Sequence, residues 1–177
     1  MDVNAPIALI GAGYRNREGA LQDFTSVWAA RHDGDFHHTS VAVLTKDRNG
    51  RLHVERHNST AKHLEWGGAL LGAALVVLAP AAGIAVLAGV GLGGAGAMIG
   101  HFRQHADPED LAAIANVLEA GASALVVVVV NRQGRTMTPL FTHADGRASV
   151  DMPWGDLGEE LSADFAHRAF ARSLVAV

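Results

Sequence analysis

The chain has no cysteine in its 177 residues. That excludes disulfides, thiolate metal sites and a cysteine nucleophile. Charge is scarce as well. Asp, Glu, Lys and Arg together make up 18%, against about 25% in a typical soluble domain. There is no basic excess, and the formal net charge of −4 argues against a nucleic-acid partner, which needs positive surplus to meet phosphate. Met1–Pro6 offers neither a positive n-region nor a long apolar core. No secretory signal is therefore expected, and the expected location is the cytoplasm or the inner face of the cell membrane. Apolar residues, in contrast, reach 49%, and there are 20 glycines. A disordered chain is excluded, and the length suits one domain with one core.

Ile7–Ile10 reads as a buried strand, ended by a turn at Gly11-Ala12-Gly13. A helix is expected from Asn16, with Ala20, Phe24, Val27 and Trp28 on one face and Arg17, Asp23 and Arg31 elsewhere. Asp33-Gly34-Asp35 would stop it. Thr39–Thr45 is rich in β-branched residues and reads as a second strand. Asp47-Arg48-Asn49-Gly50 is a hairpin turn, because Asn-Gly accepts the positive φ that tight hairpins need. A third strand carries Leu52 and Val54 and ends near His57.

Further on, Asp107 is a good N-cap for a helix with Pro108 at its first position, an apolar stripe of Leu111, Ile114, Ala115 and Leu118, and Gly121 at its end. Leu125–Val130 is apolar throughout, which demands cover on both faces and so a central strand. Arg132-Gln133-Gly134 turns the chain. Arg135–Phe141 reads as a strand placed near an edge by Pro139. Asp145-Gly146 is a second hairpin signal, with Ala148–Met152 returning. From Asp156 an amphipathic helix is expected, with Leu157, Leu161, Phe165 and Ala169 at spacing four. With residues 61–105 set aside, the expected class is α+β, in ferredoxin-like β-α-β-β-α-β order. Residues 1–177 form one domain. Residues 61–105 are an inserted Gly/Ala-rich helical hairpin, and 132–177 add a C-terminal β-hairpin plus helix.

From Trp66 to Gly100 there is no charged residue. A single membrane crossing would put strands one to three on one side and the Val-rich strand on the other, leaving both sets unpaired. The stretch must therefore double back, and Ala79-Pro80-Ala81-Ala82-Gly83 supplies the break. The first arm, Trp66–Ala79, falls short of the roughly 20 residues that a bilayer crossing takes. Gly68 and Gly72, Gly89 and Gly93, and Gly96 and Gly100 form three G-x-x-x-G pairs, a spacing that lets helix backbones meet. Three settings accommodate them: packing on the domain's own sheet, self-association, or insertion into a bilayer. Basic flanks (Lys46, Arg48, Arg51, Arg56 and Lys62 before, Arg103 after) suit two ends on the cytoplasmic side.

These features resemble a bacterial domain family described as membrane proteins of unknown function, with a Gly/Ala-rich apolar hairpin in a small α/β domain. The resemblance spans Ile7–Asn131. It lies in Thr45-Lys46-Asp47 with Gly50, in the glycine-rich stretch, in Asp107-Pro108-Glu109-Asp110-Leu111, and above all in Leu118–Leu125 with the Val run. It implies membrane association and no reaction. The basic Tyr14-Arg15-Asn16-Arg17 stands where acidic residues are usual in that family, and the part after Arg132 differs.

No constellation points to an enzyme. Gly11-Ala12-Gly13-Tyr14-Arg15-Asn16 begins like a dinucleotide fingerprint but has Asn16 at the third small position. No G-x-S-x-G elbow or H-E-x-x-H is present. There are ten histidines. His101 and His105 stand one helical turn apart, and a closed hairpin would bring His63 near them, so these three are the candidate metal ligands. The alternative is scattered surface histidines. Trp28 reads as core and Trp66 as an interfacial anchor. The expected function is thus a non-enzymatic structural protein with no cofactor. It would self-associate through Gly68, Gly72, Gly89, Gly93, Gly96 and Gly100, with membrane lipid as a second partner and no nucleic acid. The alternative is a regulatory module that binds a small ligand or metal at the His-rich base of the hairpin.

Overall fold

A computed structural model describes residues 6–30, 36, 38–59, 71–78, 95–130 and 136–153. Among them, five strands form one antiparallel sheet: β1 (Pro6–Tyr14), β2 (His38–Lys46), β3 (Leu52–Ser59), β4 (Ser123–Val130) and β5 (Gly146–Pro153), in the order β3-β2-β4-β1-β5. The helices are α1 (Arg17–Ala30), α2 (described over 71–78), α3 (Ala95–His105) and α4 (Pro108–Ala120). Thr138–Leu140 adds a short 3-10 turn.

The strand order follows from polarity. β4, SALVVVVV, is buried at every residue, and only a central position covers both faces of such a strand. It sits between β1 and β2, pairing Ile10 with Val127 on one side and Val41 with Val127 on the other. The strongly apolar strand thus finds both partners in the first half of the chain, as its composition requires. A ferredoxin-like sheet would place the third strand between the first two. Here β4 holds that slot. β3, with Glu55, Arg56 and His57 exposed, goes outside β2, where polar side chains reach water. The β2–β3 turn is as expected: Gly50 has φ +77°, and the Asp47 carboxylate accepts from the Asn49 and Arg51 amides at 2.8 and 2.9 Å.

Both sheet faces are covered. Alternation sends Ile7 and Leu9 to one side, with Ala124, Val126, Val128, Val150 and Met152. α2, α3 and α4 lie over this side through Leu71, Leu75, Leu78, Phe102, Ile114 and Leu118, all at most 1% exposed. Each fully buried Leu is worth about 1.5–3 kcal/mol. The other side carries Ala8, Ile10, Ala12, Val41, Val43 and Val127 under α1, which contributes Ala20, Phe24 and Val27. α4 starts as expected, with the Asp107 carboxylate accepting from the Glu109 amide at 2.8 Å and Pro108 in the first turn.

Three local expectations are corrected. Gly11-Ala12-Gly13 is not a turn; β1 runs straight through it. The glycines are there because α4 crosses at close range: a Cβ on Gly13 would stand 2.3 Å from the Val117 carbonyl oxygen, and one on Gly11 would stand 2.6 Å from the Ile114 side chain. Residues 138–140 form a 3-10 turn rather than a strand, since Pro139 cannot donate to a ladder. β5 therefore has no hairpin partner there and joins β1 instead, from Pro6 opposite Pro153 to Gly13 opposite Gly146. The helix stop at 33–35, the break at 79–83, the turn at 132–134 and the C-terminal helix from 156 lie outside the described residues. No helix among the described residues is long and apolar enough to cross a membrane.

Candidate functional site

Helix α1 places an acid in its own buried stripe. Ala20, Asp23, Phe24 and Val27 stand at i, i+3, i+4 and i+7 and all face the sheet. Asp23 is fully buried. Burying a carboxylate without partners is prohibitive, so the chain must bring donors to it. Tyr14, the last residue of β1, donates its hydroxyl to Oδ2 at 3.0 Å. The loop before β5 supplies the rest. The His143 amide donates to Oδ2 at 3.1 Å, its ring Nδ1 to Oδ1 at 2.8 Å, and the Thr142 hydroxyl to Oδ1 at 3.3 Å. Gly19 makes room, since a Cβ there would stand 3.1 Å from the His143 Cβ. Asn16 caps the helix through the Gly19 amide at 2.8 Å.

A carboxylate only accepts, so the bond fixes the proton on Nδ1 of His143 and leaves Nε2 as the acceptor of the neutral ring. The His143 side chain is half-exposed. Burial, and after it the charge of Asp23 and the hydrogen bond to it, pushes the Tyr14 phenol well above its ordinary range. Next to this group Asp145 accepts from the Arg15 amide at 2.7 Å and from its Nε at 2.6 Å. These bonds hold the Asp145 carboxyl below its usual range. Arg15 and Asp145 rim a cleft of about 290 Å3, lined also by Gly13, Asn116 and Val117. Loop 141–145 is thus pinned at both ends to the β1–α1 junction. Chemically the arrangement is an oriented imidazole backed by a buried carboxylate.

Of the residues singled out by sequence, those that are described lie apart from this group. Gly72 is buried on α2, Gly100 is exposed on α3, and Gly96 lies on α3. Gly68, Gly89 and Gly93 lie outside the described residues, as do His63, Trp66 and Trp154. The His101 and His105 rings meet at a tilt of 47° with centroids 4.4 Å apart, and Nε2 of the buried His101 donates to the Pro153 carbonyl at 2.8 Å. No group of three or more His, Cys, Asp or Glu among the described residues could hold a metal ion. The glycines of the dinucleotide-like run lie inside β1 and form no phosphate loop. Trp28 packs half-buried beside the core under α1.

Sequence reasoning missed Asp23, Tyr14, Thr142 and His143. The signal for Asp23 was its spacing, which sets it inside the apolar stripe rather than beside it. Nothing in the sequence marks residues 142 and 143 as its partners, more than a hundred positions away. In comparisons with known proteins, no family model matches the chain, and neither does a curated protein or a solved structure.

Proposed function

We propose that the protein is a non-enzymatic, self-associating structural protein that meets further copies of itself through the glycine-rich stretch 61–105. The observation that carries this is Gly100. A glycine inside a helix costs about 1 kcal/mol relative to alanine. Gly11, Gly13 and Gly19 each answer to a close neighbour, but a Cβ on Gly100 would meet nothing within 4 Å among the described residues. Gly100 is exposed, while Phe102 anchors the same helix in the core. No described residue of the protomer takes up the space of the missing side chain, and a neighbouring backbone would fit it. Gly72 is buried in the domain's own core, so the contact falls to Gly68, to Gly89 and Gly93, and to Gly96 and Gly100. The stretch doubles back in this reading: α2 and the Phe102 end of α3 contribute to one buried cluster on one sheet face.

Gly100→Gln tests it. The space around the position lets the variant fold, and the added bulk should lower the particle mass measured by light scattering without detergent. An unchanged mass rejects the reading. Sedimentation with membranes after a carbonate wash reports whether lipid, the other proposed partner, takes part.

One observation favours a small-ligand-binding module instead: the cleft beside Arg15, Asp145 and Tyr14. That reading moves the ligand site from the His-rich base to the β1–α1 junction. It predicts a small particle whose melting temperature rises with a bound metabolite, and no response of particle mass to Gly100→Gln.

A further inference from the structure

Among the described strands, β5 pairs only with β1, so its outer edge has no strand partner. Such an edge is a template for another strand. The opposite edge of the sheet differs, because Glu55 of β3 is engaged by Arg17 and Arg56 lies over the Phe24 ring. On β5 the side chains on the α1 side of the sheet are Arg147, Ser149 and Asp151, all exposed. Neither Arg147 nor Asp151 has an ion-pair partner among the described residues. Within one copy they cannot pair, since four steps along the strand set them about 13 Å apart.

Their spacing is symmetric about Ser149. We infer that β5 pairs antiparallel with β5 of a second copy, centred on Ser149, which sets Arg147 of each copy opposite Asp151 of the other. The backbone agrees with this register. Pro6 and Pro153 face each other across β1 and β5. Two prolines have no N–H to exchange, so that pair takes the non-hydrogen-bonded position, and alternation turns the N–H and C=O of Arg147, Ser149 and Asp151 toward the outer edge, which beyond them ends at the Pro153 carbonyl held by His101. A two-fold axis at Ser149 then matches outward-facing residues with each other and joins two five-stranded sheets into one. Shifting the register by two residues loses both ion pairs and sets Arg147 opposite Ser149, or Ser149 opposite Asp151. The contact is isologous and closes at two copies. It is separate from the glycine-rich contact and does not rest on it.

The test uses the full chain. Ser149→Cys introduces the chain's sole cysteine, and the inferred register brings two such residues to about 5.5 Å between Cα atoms, within disulfide reach. Mild oxidation should link Ser149→Cys into a covalent dimer. Arg147→Cys, whose copies would stand about 13 Å or more apart, should stay unlinked. Arg147→Asp and Asp151→Arg should each halve the particle mass, and the two together should restore it. Equal linking of the two cysteine variants, or single charge variants with wild-type mass, overturns the inference. Loss of mass in Gly100→Gln but not in the charge variants rejects the edge contact and leaves the glycine contact standing. The converse result does the reverse.

Discussion

Asp23 shows how one buried charge organises its surroundings. Its carboxylate holds the end of β1 through Tyr14 and the loop before β5 through Thr142 and His143. Hydrogen bonds to a charged group are worth about 1.5–3 kcal/mol each, and donors left behind in a buried site pay a desolvation cost. Asp23→Ala should therefore lower unfolding free energy by about 3 kcal/mol or more in urea titrations. A loss below about 1 kcal/mol would mean that water replaces the carboxylate. Tyr14 is the chain's sole tyrosine, so alkaline ultraviolet titration reads it alone. Burial beside Asp23 raises its ionisation above the ordinary 10.0. Above pH 10 the unfolded chain releases this proton and the native state does not, so stability falls as pH rises. Tyrosinate absorbance should appear only with unfolding, and Tyr14→Phe should remove this part of the alkaline dependence. Asp47 runs the other way. The hydrogen bond from His53, then the Arg51 amide, lowers its carboxyl from 3.8 to about 2. Its contribution is fully present above the unfolded value and is lost as pH falls from 3.8 toward 2. A carboxyl-carbon NMR titration of Asp47 should show that low midpoint.

At the scale of elements, α4 and β1 pack through side chains but approach so closely at Gly13 that backbone meets backbone. Gly13→Ala would drive a Cβ into the Val117 carbonyl, which cannot rotate away, whereas Gly11→Ala meets the Ile114 side chain, which can. Overpacking typically costs about 1–3 kcal/mol. Gly13→Ala should fall at or above the top of that range and Gly11→Ala lower, as read by thermal melts. Equal losses would show that the helix shifts as a body. The same glycines show what sequence can and cannot convey. Most elements were legible because they rest on local chemistry: the Asp107-Pro108 cap, the Asn49-Gly50 turn and the all-apolar β4. Gly11 and Gly13 read as a turn because a glycine that admits a helix looks the same in sequence as one that bends the chain. The Asp145-Gly146 signal did mark the start of a strand, but its partner is β1 rather than the preceding segment. Pairing between distant strands has no local signature, and neither has the junction of Asp23 with His143.

For the molecule as a whole, the order of the strands in space sets how the chain can fold. β1 and β2 come early but do not touch; β4 lies between them, and the other neighbour of β1 is β5. Every partner that β1 has among the described strands therefore follows residue 105. Among the described strands, the first part of the chain can close only the β2–β3 hairpin by itself, and an isolated two-stranded hairpin is marginal in water. Its apolar face, with α2 and Phe102, has no Val-rich strand to cover. Pairing over such separations makes folding slow, because loop closure must precede the contacts that reward it. Residues 1–105 and 106–177, made as two chains, should each lack a cooperative melting transition. Mixing them should restore one, since the cut falls just before the Asp107 cap and leaves each strand whole. Circular dichroism of the separate and mixed fragments decides the matter. A cooperative melt of 1–105 alone would mean that β1 finds a partner other than β4 or β5, and the insertion of β4 would then not be the step that completes the sheet.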